Sequence, residues 1–346
     1  MVTKPENVFL ASDDDGVTII DQTLLPAEKR FITLKKEQEM FDAIRLLKVR
    51  GAPAIGICAA FCVYILAKDT VFTDFESYYT EFRRFSAHLD SSRPTAVNLS
   101  AALKRMDKVF ASFRGKNCLK NDITSALRDE ACIIQKEDIE MCRRISEHGL
   151  TLVKDGDTVL THCNAGPLAT SLYGTGLGAL ILGAERGYKF KAYVDETRPL
   201  LQGARLTTYE LMEAGIDCTL ICDNMAAALM SAGKINACFV GCDRVALNGD
   251  AANKTGTLSV AVCAKHFGVP FYVFCPSSTI DRNCESGDKI VIEQRDPREV
   301  TEMFYDRRIA PKDCKCYNPA FDVTPHELIT AVITENGIWR GEGELR

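Results

Sequence analysis

The sequence predicts an α/β protein with a Rossmann-like, doubly wound parallel sheet in its C-terminal domain and a smaller, mainly helical N-terminal domain. Two patterns carry this prediction. From residue 157 onward, short apolar runs rich in β-branched residues alternate with helix-like segments, whereas residues 70–150 repeat apolar side chains at helical spacing. Because 346 residues exceed one ordinary core, we expect two domains, 1–125 and 126–346.

The N-terminal domain is predicted to begin with a strand over residues 17–22. Thr33 is expected to cap the helix that follows, and Gly51 is expected to end it. Pro53 favours the start of the next helix, which covers the apolar stretch 52–67. That stretch has 16 residues, fewer than the roughly 18 that suggest a membrane span, so we expect a buried helix.

The C-terminal domain is predicted to contain five short strands of nearly continuous apolar character, as expected of strands that helices cover on both faces. They are 158–161, 192–194, 218–221, 237–240 and 271–274. Near the end of the chain, Thr324-Pro325-His326-Glu327 has the residues of a capping box with proline at the first helical position. This string predicts one last helix.

The residues that follow these strands are polar or reactive. They are, in chain order, Cys163-Asn164, Asp195-Glu196-Thr197-Arg198, Asp223-Asn224, Asp243-Arg244 and Ser277-Ser278-Thr279. In an open parallel sheet the carboxyl ends of the strands line the ligand crevice, so Cys163 and Asp243 are expected to share one pocket although 80 residues separate them. A thiol and a carboxyl in one pocket suggest an enzyme that performs acid–base chemistry.

Composition narrows the class of protein. The net charge of −5 and the absence of a dense Lys/Arg run argue against a nucleic-acid partner. The first residues lack the pattern of a secretory signal, so we expect a cytoplasmic protein without a membrane partner. Its fifteen cysteines are then expected to be reduced thiols.

No metal and no cofactor are expected. The cysteines form no Cys-x-x-Cys pair of the kind that holds zinc. The stretch Gly174-x-Gly176-x-Gly178 has the wrong spacing and the wrong place for a dinucleotide-binding turn, and we expect it to permit close helix packing. The chain also lacks the phosphate loop of nucleotide hydrolases.

Basic residues beside glycine or proline suggest a phosphorylated ligand. They stand in three strings, Arg50-Gly51-Ala52-Pro53, Arg93-Pro94-Thr95 and Asn253-Lys254-Thr255-Gly256. Arginine donates bidentate hydrogen bonds to phosphate. The backbone N–H groups at a helix start after Ala52 offer further donors to the same phosphate. Each string alone also fits a solvated loop charge, so the inference rests on the three together.

Further strings extend this set along the chain in a fixed order. They are Arg50-Gly51-Ala52-Pro53-Ala54-Ile55-Gly56, Thr161-His162-Cys163-Asn164, Glu196-Thr197-Arg198-Pro199, Gln202-Gly203-Ala204-Arg205-Leu206-Thr207, Gly241-Cys242-Asp243-Arg244, Asn248-Gly249-Asp250, Asn253-Lys254-Thr255-Gly256-Thr257 and Asn318-Pro319-Ala320-Phe321-Asp322. Together they resemble the S-methyl-5-thioribose-1-phosphate isomerase family of the methionine salvage pathway, over about residues 17–340.

The resemblance implies an N-terminal domain of a small sheet and helices, a homodimer, a small-molecule sugar phosphate as partner, and no required metal. By matching motif, it implies that Cys163 and Asp243 are catalytic. The substrate would be held by Arg50, Gly51, Ala52, Arg93, Gln202, Asn253 and Lys254. One departure is Cys242, where a small residue such as alanine is expected; we expect it to alter packing rather than chemistry.

The implied activity is the aldose–ketose isomerisation of 5-methylthioribose 1-phosphate to 5-methylthioribulose 1-phosphate. The anomeric oxygen of this sugar is esterified, so an acid must help to open the ring. We expect Asp243, kept protonated in a desolvated site, to be that acid. Cys163 would act at carbon 2, either as a base that yields a phosphoenolate or in support of a direct hydride shift, and both routes stay open.

Two alternatives remain. An isomerase of the same fold could act on 5-deoxyribose 1-phosphate or ribose 1,5-bisphosphate, since only the group on carbon 5 differs. A regulatory subunit of the translation initiation factor 2B type resembles this family in fold and would bind partners without turning over a sugar. The joint presence of Cys163, Asp243 and the phosphate-binding set favours the enzyme.

Overall fold

The computed structural model describes residues 7–94, 96–341 and 345. The first six residues of the chain and Thr95, both used in the sequence analysis, lie outside this range. The described residues form two compact units, which we call the N-terminal unit, described over residues 7–94, 96–140 and 167–172, and the C-terminal unit, described over residues 141–166, 173–341 and 345.

The units divide inside one long helix, Lys120–Leu150. The predicted domain boundary near residue 125 lies within the same helix, and it stays a prediction. The expected combination of a helical N-terminal part that carries a small sheet with a mainly parallel C-terminal sheet is confirmed.

The small sheet of the N-terminal unit has three antiparallel strands in the order β1-β2-β3. These are β1 (Val8–Leu10), β2 (Val17–Ile20) and β3 (Phe31–Leu34). Thr33 lies in β3 opposite Thr18, so the prediction that it caps a helix was wrong. The residue at the cap position is Lys36. Pairing within the sheet outweighs the local capping preference of threonine.

The helices of the N-terminal unit are α1 (Glu37–Arg45), α2 (Ala52–Asp69), α3 (Phe75–Asp90), α4 (Val97–Ala111) and the greater part of α5 (Lys120–Leu150). Among the described helices, α2 alone is long and apolar enough to cross a membrane, but 78% of it is buried inside the protein. The prediction of a buried helix is therefore confirmed. Gly56 of α2 packs on α4, because a side chain at Gly56 would come within 2.7 Å of the Asn98 carbonyl oxygen.

The C-terminal unit is built on a seven-stranded sheet. In chain order, the elements of the first half of this unit are β4 (Thr158–His162), α6 (Gly178–Glu185), β5 (Lys191–Asp195), α7 (Thr208–Glu213), β6 (Asp217–Ile221), α8 (Ala226–Ser231) and β7 (Ala237–Val240). The second half comprises β8 (Arg244–Ala246), β9 (Ala251–Lys254), α9 (Thr257–Phe267), β10 (Phe271–Phe274), β11 (Ile280–Asp281), α10 (Arg298–Thr301), β12 (Phe321–Thr324), β13 (Ala331–Thr334) and β14 (Gly337–Trp339).

The strand order of the large sheet is β14-β13-β10-β7-β4-β5-β6. All neighbouring strands are parallel except β13 and β14. The chain builds outward from β4 through β5 to β6 and then returns to the other side of β4 as β7. The order therefore reverses between β4 and β7, and this reversal is the place where parallel sheets bind ligands.

Two features of the C-terminal unit differ from the sequence-based expectation. A second sheet, in the order β11-β8-β9-β12, follows the crevice strands and was not predicted. The last helix predicted at Thr324 was wrong, because residues His326–Leu328 form one 3-10 turn and β13 follows. Thr324 itself ends β12 and pairs with Ala251, and the buried strand β13 pairs with β10 through Ala331, Val332 and Ile333, so strand pairing on both sides excludes a helix here.

Candidate active site

Cys163 and Asp243 follow the two strands between which the sheet reverses. His162, the last residue of β4, lies opposite Val240, the last residue of β7. Cys163 comes next after β4, and Asp243 lies three residues beyond β7. The two loops are in contact, because a side chain at Gly241 would come within 2.5 Å of the Ala165 β-carbon. The structure thus brings the two predicted catalytic segments to one crevice.

Cys163 is held in an unusual backbone conformation by its neighbours. Its φ angle is +66°, in the left-handed region that costs a residue other than glycine about 1–3 kcal/mol. The Cys163 N–H donates to Thr197 Oγ1 at 2.8 Å, and the Cys163 carbonyl oxygen accepts from Thr207 Oγ1 at 2.6 Å. The half-buried thiol is therefore carried on a segment that is fixed on both sides.

Thr197 is fixed in turn by the ends of β5 and β6. Its φ angle is +63°, and its hydroxyl donates to the carbonyl oxygen of Asp195 at 3.0 Å. The carboxylate of Asp223 accepts the backbone N–H groups of Thr197 and Arg198 at 2.7 and 2.8 Å. The ends of β5 and β6 therefore support the position of Cys163 at the end of β4.

His162 is 1% exposed and lies directly before Cys163. Its Nδ1 is 3.0 Å from Asp195 Oδ2 and its Nε2 is 3.0 Å from the Thr255 carbonyl oxygen. Burial alone would lower the pKa of His162, but the hydrogen bond with Asp195 and the charges of Asp195 and Asp223 outweigh burial and raise the pKa.

The remaining predicted residues of the C-terminal unit are Asn253, Lys254 and Gln202. Asn253 and Lys254 end β9, next to Ala252, whose carbonyl oxygen accepts the Asp243 N–H at 2.9 Å. The Asn253 amide donates to Thr257 Oγ1 at 3.0 Å, and the Lys254 ammonium lies 4.9 Å from the centre of the Phe321 ring.

Gln202 stands directly before the π-helical segment Gly203–Thr207, which supplies Thr207 to Cys163. The side chain of Gln202 is buried, and its amide oxygen accepts no hydrogen bond from the part of the chain that the structure describes. A buried acceptor without a protein donor suits a ligand hydroxyl.

The four other predicted substrate-binding residues belong to the N-terminal unit. Gly51 is the N-cap of α2 with a φ angle of +95°, and a side chain there would come within 2.4 Å of the Ala169 backbone. Arg50 precedes this cap, Ala52 is the first residue of the helix, and Arg93 lies in the turn between α3 and α4. Within the described part of the chain no side chain caps the start of α2, so the N–H groups of its first turn are suited to donate to an anion.

His162, Asp195 and Asp223 also offer ligand atoms within 4.8 Å of one another, the spacing of a metal site. However, these atoms already bind one another or the backbone. An ion at Nδ1 of His162 would displace its hydrogen bond with Asp195, and an ion at Asp223 would compete with two backbone N–H groups. His162 and Asp223 are thus satisfied without an ion, and Asp195 is bound through its Oδ2 atom.

Cys242 is the residue at which the sequence departs from the expected pattern. Its S–H group is placed to donate to the carbonyl oxygens of Arg244 and Ala252, at 2.9 and 3.2 Å. Burial raises the pKa of the Cys242 thiol well above its ordinary value. Cys242 is therefore a neutral group that ties β8 to β9.

The sequence placed Thr197 among the polar residues that follow the strands without a specific role, and it gave no role to His162 or Thr207. The first two stand at strand ends, and that position was the available signal. Nothing in the sequence marks Thr207, because its contact with Cys163 arises from the π-helical segment.

The fold and the strand-end group define a Rossmann-like α/β protein with a cysteine at the switch point of its sheet. The chain belongs to the Initiation factor 2 subunit family, whose sequence model matches residues 48–341. The resemblance inferred from the sequence is confirmed by this match and by the relatives below.

The chain is 56% identical over 325 residues to the methylthioribose-1-phosphate isomerase of Parabacteroides distasonis, covering 94% of this chain and 96% of the relative. It is also 52% identical over 324 residues to a 5-deoxyribose 1-phosphate isomerase of Clostridium botulinum, covering 94% of this chain and 92% of the relative.

Two solved structures are similar at 40% identity. The 5-methylthioribose 1-phosphate isomerase of Pyrococcus horikoshii matches with a TM-score of 0.91, over 97% of this chain and 93% of the other. A structure described as translation initiation factor eIF-2B, subunit delta, from A. fulgidus matches with a TM-score of 0.88, over 96% of this chain and 95% of the other.

Proposed function

We propose that this protein is an intramolecular oxidoreductase that converts 5-methylthioribose 1-phosphate to 5-methylthioribulose 1-phosphate in methionine salvage. The observation that carries the proposal is the convergence of the Cys163 and Asp243 segments at the switch point of the sheet. The full-length similarity to isomerases of two sugar 1-phosphates supports the same reaction class.

In the proposed reaction, Asp243 donates a proton to the ring oxygen of the sugar while the bond between that oxygen and carbon 1 breaks. The ring oxygen becomes the hydroxyl of carbon 4. Asp243 is exposed in this structure, so bound substrate has to displace water from the carboxyl before it can act as the expected desolvated acid.

Cys163 then acts at carbon 2. As a thiolate it removes the proton from carbon 2, giving a phosphoenolate that becomes the ketone once carbon 1 is protonated and the hydroxyl on carbon 2 has lost its proton. In the alternative route, the hydrogen of carbon 2 moves to carbon 1 as a hydride. The rigid support of Cys163 by Thr197 and Thr207 fits either route, because both need the thiol at a fixed place.

The other predicted residues hold the substrate. Arg50, Arg93 and the N–H groups at Gly51 and Ala52 bind the phosphate, which supplies orientation and charge compensation. Lys254 adds a positive charge. Asn253 and the buried amide oxygen of Gln202 bind sugar hydroxyls.

We propose further that the enzyme is a cytoplasmic homodimer that needs neither a metal nor a cofactor. Light scattering of the purified protein should report twice the chain mass. Dialysis against a chelator should leave turnover unchanged. A monomer, or loss of turnover that added metal restores, would contradict these statements.

The decisive experiment is a turnover assay of the purified protein with 5-methylthioribose 1-phosphate, 5-deoxyribose 1-phosphate and ribose 1,5-bisphosphate. We expect the highest kcat/KM with the first. A preference for the second substrate would assign the activity named for the C. botulinum relative. Running the reaction in deuterated water separates the two routes, since label at carbon 1 counts against a pure hydride shift.

A second candidate function is suggested by the structure described as an initiation factor subunit, which is 40% identical to this chain. A protein of that kind would bind partners and leave all three sugars unchanged. Absence of turnover with all three sugar phosphates, by a folded protein, would therefore favour the binding function.

A further inference from the structure

The buried histidine beside Cys163 lies among three carboxylates from three different elements. Asp195 ends β5 and bonds to Nδ1 of His162, Asp223 follows β6 with Oδ1 at 4.0 Å from Nδ1, and Asp322 lies in β12 close enough to interact with the ring electrostatically. On the fourth side, Nε2 faces the Thr255 carbonyl oxygen. Every polar group that the described structure places against this ring is an oxygen acceptor or a carboxylate.

The carboxylates differ in how they are satisfied. Asp223 accepts two backbone N–H groups, and Asp322 accepts the N–H groups of Gly256 and Leu258 at 2.6 and 3.1 Å. Asp195 is fully buried, and its Oδ1 has no hydrogen-bond partner among the described residues. Burial raises the pKa of Asp195, whereas the hydrogen bond with His162 and the charge of His162 lower it, so Asp195 keeps its charge only beside a protonated His162.

The ring itself is tightly enclosed. Gly256 has a φ angle of +110°, and a β-carbon there would lie 2.6 Å from Cε1 and 2.8 Å from Nε2 of His162. While Asp195 is ionised, a neutral imidazole, which has one N–H and one lone pair, would leave one of the two oxygens facing it without a donor. Only a doubly protonated ring donates to both Asp195 and Thr255.

We propose that His162 is a positioning residue for the reaction, a buried imidazolium that offsets the carboxylates beside Cys163 and thereby allows the Cys163 thiol to ionise. This proposal rests on the function proposed above, because it assigns Cys163 a proton-transfer role. His162 does not touch the reacting atoms. It acts through the charge that it places one residue before the thiol and through the two hydrogen bonds that hold the end of β4.

The ionisation of Cys163 can be measured without any turnover. We would alkylate the native protein with iodoacetamide across a pH series and quantify the peptide that contains Cys163 by mass spectrometry, since the chain has fifteen cysteines. In His162→Gln, a neutral side chain leaves Asp195 uncompensated, and the alkylation midpoint of Cys163 should rise by about one pH unit or more.

The matched control is His326→Gln. His326 is also paired with an aspartate, its Nδ1 lying 2.9 Å from Asp250 Oδ1, but this pair is outside the proposed active site. The control should leave the Cys163 midpoint and the turnover unchanged. An unchanged midpoint in folded His162→Gln would overturn the proposal, and so would an equal rise in both variants.

A second measurement uses the unaltered protein, so it does not depend on whether a His162 variant folds. The protein has only five histidines, so the imidazole nitrogens can be resolved by NMR in the unaltered protein. His162 should show the signature of a doubly protonated ring at pH 7. It should keep this signature at pH values above the ordinary pKa range of histidine. A neutral ring at pH 7, or stoichiometric metal on His162 in the purified protein, would overturn the proposal.

Turnover distinguishes this inference from the proposed function. If the enzyme turns over the sugar but the Cys163 midpoint does not move, only the role of His162 is wrong. If the midpoint moves and no sugar is turned over, His162 still controls the ionisation of Cys163, but the assigned reaction is wrong. In an active enzyme, His162→Gln should lower kcat far more than it raises KM and shift the pH at which kcat rises to a higher value.

Discussion

Thr197 accepts a hydrogen bond from the backbone N–H of Cys163 at 2.8 Å, and both residues have left-handed backbones, with φ angles of +63° and +66°. The Thr197 hydroxyl also donates to the Asp195 carbonyl oxygen at 3.0 Å. One buried hydroxyl therefore connects the ends of β4 and β5. The strain of both residues is maintained because each holds the other in place.

Thr197→Val measures what that hydroxyl contributes to stability and to turnover. Valine has nearly the same shape but leaves the Cys163 N–H without its acceptor, so we expect a loss of about 1–3 kcal/mol in the free energy of unfolding. Turnover should fall about tenfold or more, because the thiol is no longer held at a fixed place. Denaturant titration and steady-state kinetics measure the two effects. Thr197→Ser keeps the hydroxyl and should stay close to the parent protein in both.

Cys163→Ser and Asp243→Asn should each lower kcat by about 10²–10⁴-fold, the usual contribution of a general acid or base. Folding and substrate binding should be nearly intact, since neither change removes bulk. Calorimetric titration with substrate and steady-state kinetics check both expectations. Cys242→Ala is the matched control for Asp243→Asn: it removes the neighbouring buried thiol and should keep most of the turnover. If a catalytic variant retained normal kcat, its assigned role would be wrong.

Gly256→Ala should be strongly destabilising, by about 3 kcal/mol, because its φ angle of +110° disfavours a side chain and the new β-carbon would meet the His162 ring at 2.6 Å. The other end of α9 provides the comparison. Gly268 has a φ angle of +70° with nothing within 4 Å of a β-carbon, so Gly268→Ala should cost only about 1–2 kcal/mol. Equal losses in denaturant titration would show that contact with His162 contributes nothing.

The ionised carboxylate of Asp250 should stabilise the folded protein, and low pH should remove this stabilisation. Burial alone would raise its pKa, but hydrogen bonds from Asn248, His326 and the Gly287 N–H outweigh burial and lower the pKa to about 2. Because the folded pKa lies below the ordinary value of 3.8, this stabilisation is complete above pH 4 and is lost as the pH falls through about 2.

Asp250→Asn should therefore destabilise the protein by about 1–3 kcal/mol at pH 7, and the difference from the parent protein should shrink between pH 4 and pH 2. Urea titrations at several pH values measure it. Asp288→Asn, which changes an exposed carboxylate on a neighbouring turn, should have little effect at any pH. A pH-independent difference for Asp250→Asn would contradict the assignment.

Much of the parallel sheet could be predicted because its strands, such as residues 237–240 and 271–274, are buried on both faces and read as continuous apolar runs. The errors at Thr33 and Thr324 share a cause. Both residues have good local signals for a helix start, yet each lies in a strand: Thr33 pairs with Thr18 of the preceding strand, and Thr324 pairs with Ala251 of β9. Pairing with another strand decided both segments, and local preference does not contain that information.

By itself, the sequence determined the two-part α/β organisation, the strand ends that carry Cys163 and Asp243, and the buried α2 helix, because hydrophobic periodicity and turn residues are local properties. The tertiary structure alone decided that β7 lies beside β4, that Thr207 supports Cys163, and that the ring of His162 is enclosed by Asp195, Thr255 and Gly256. These relationships join residues 33 to 94 positions apart, and they form because the chain buries apolar strands in one order and must then satisfy the polar groups it encloses.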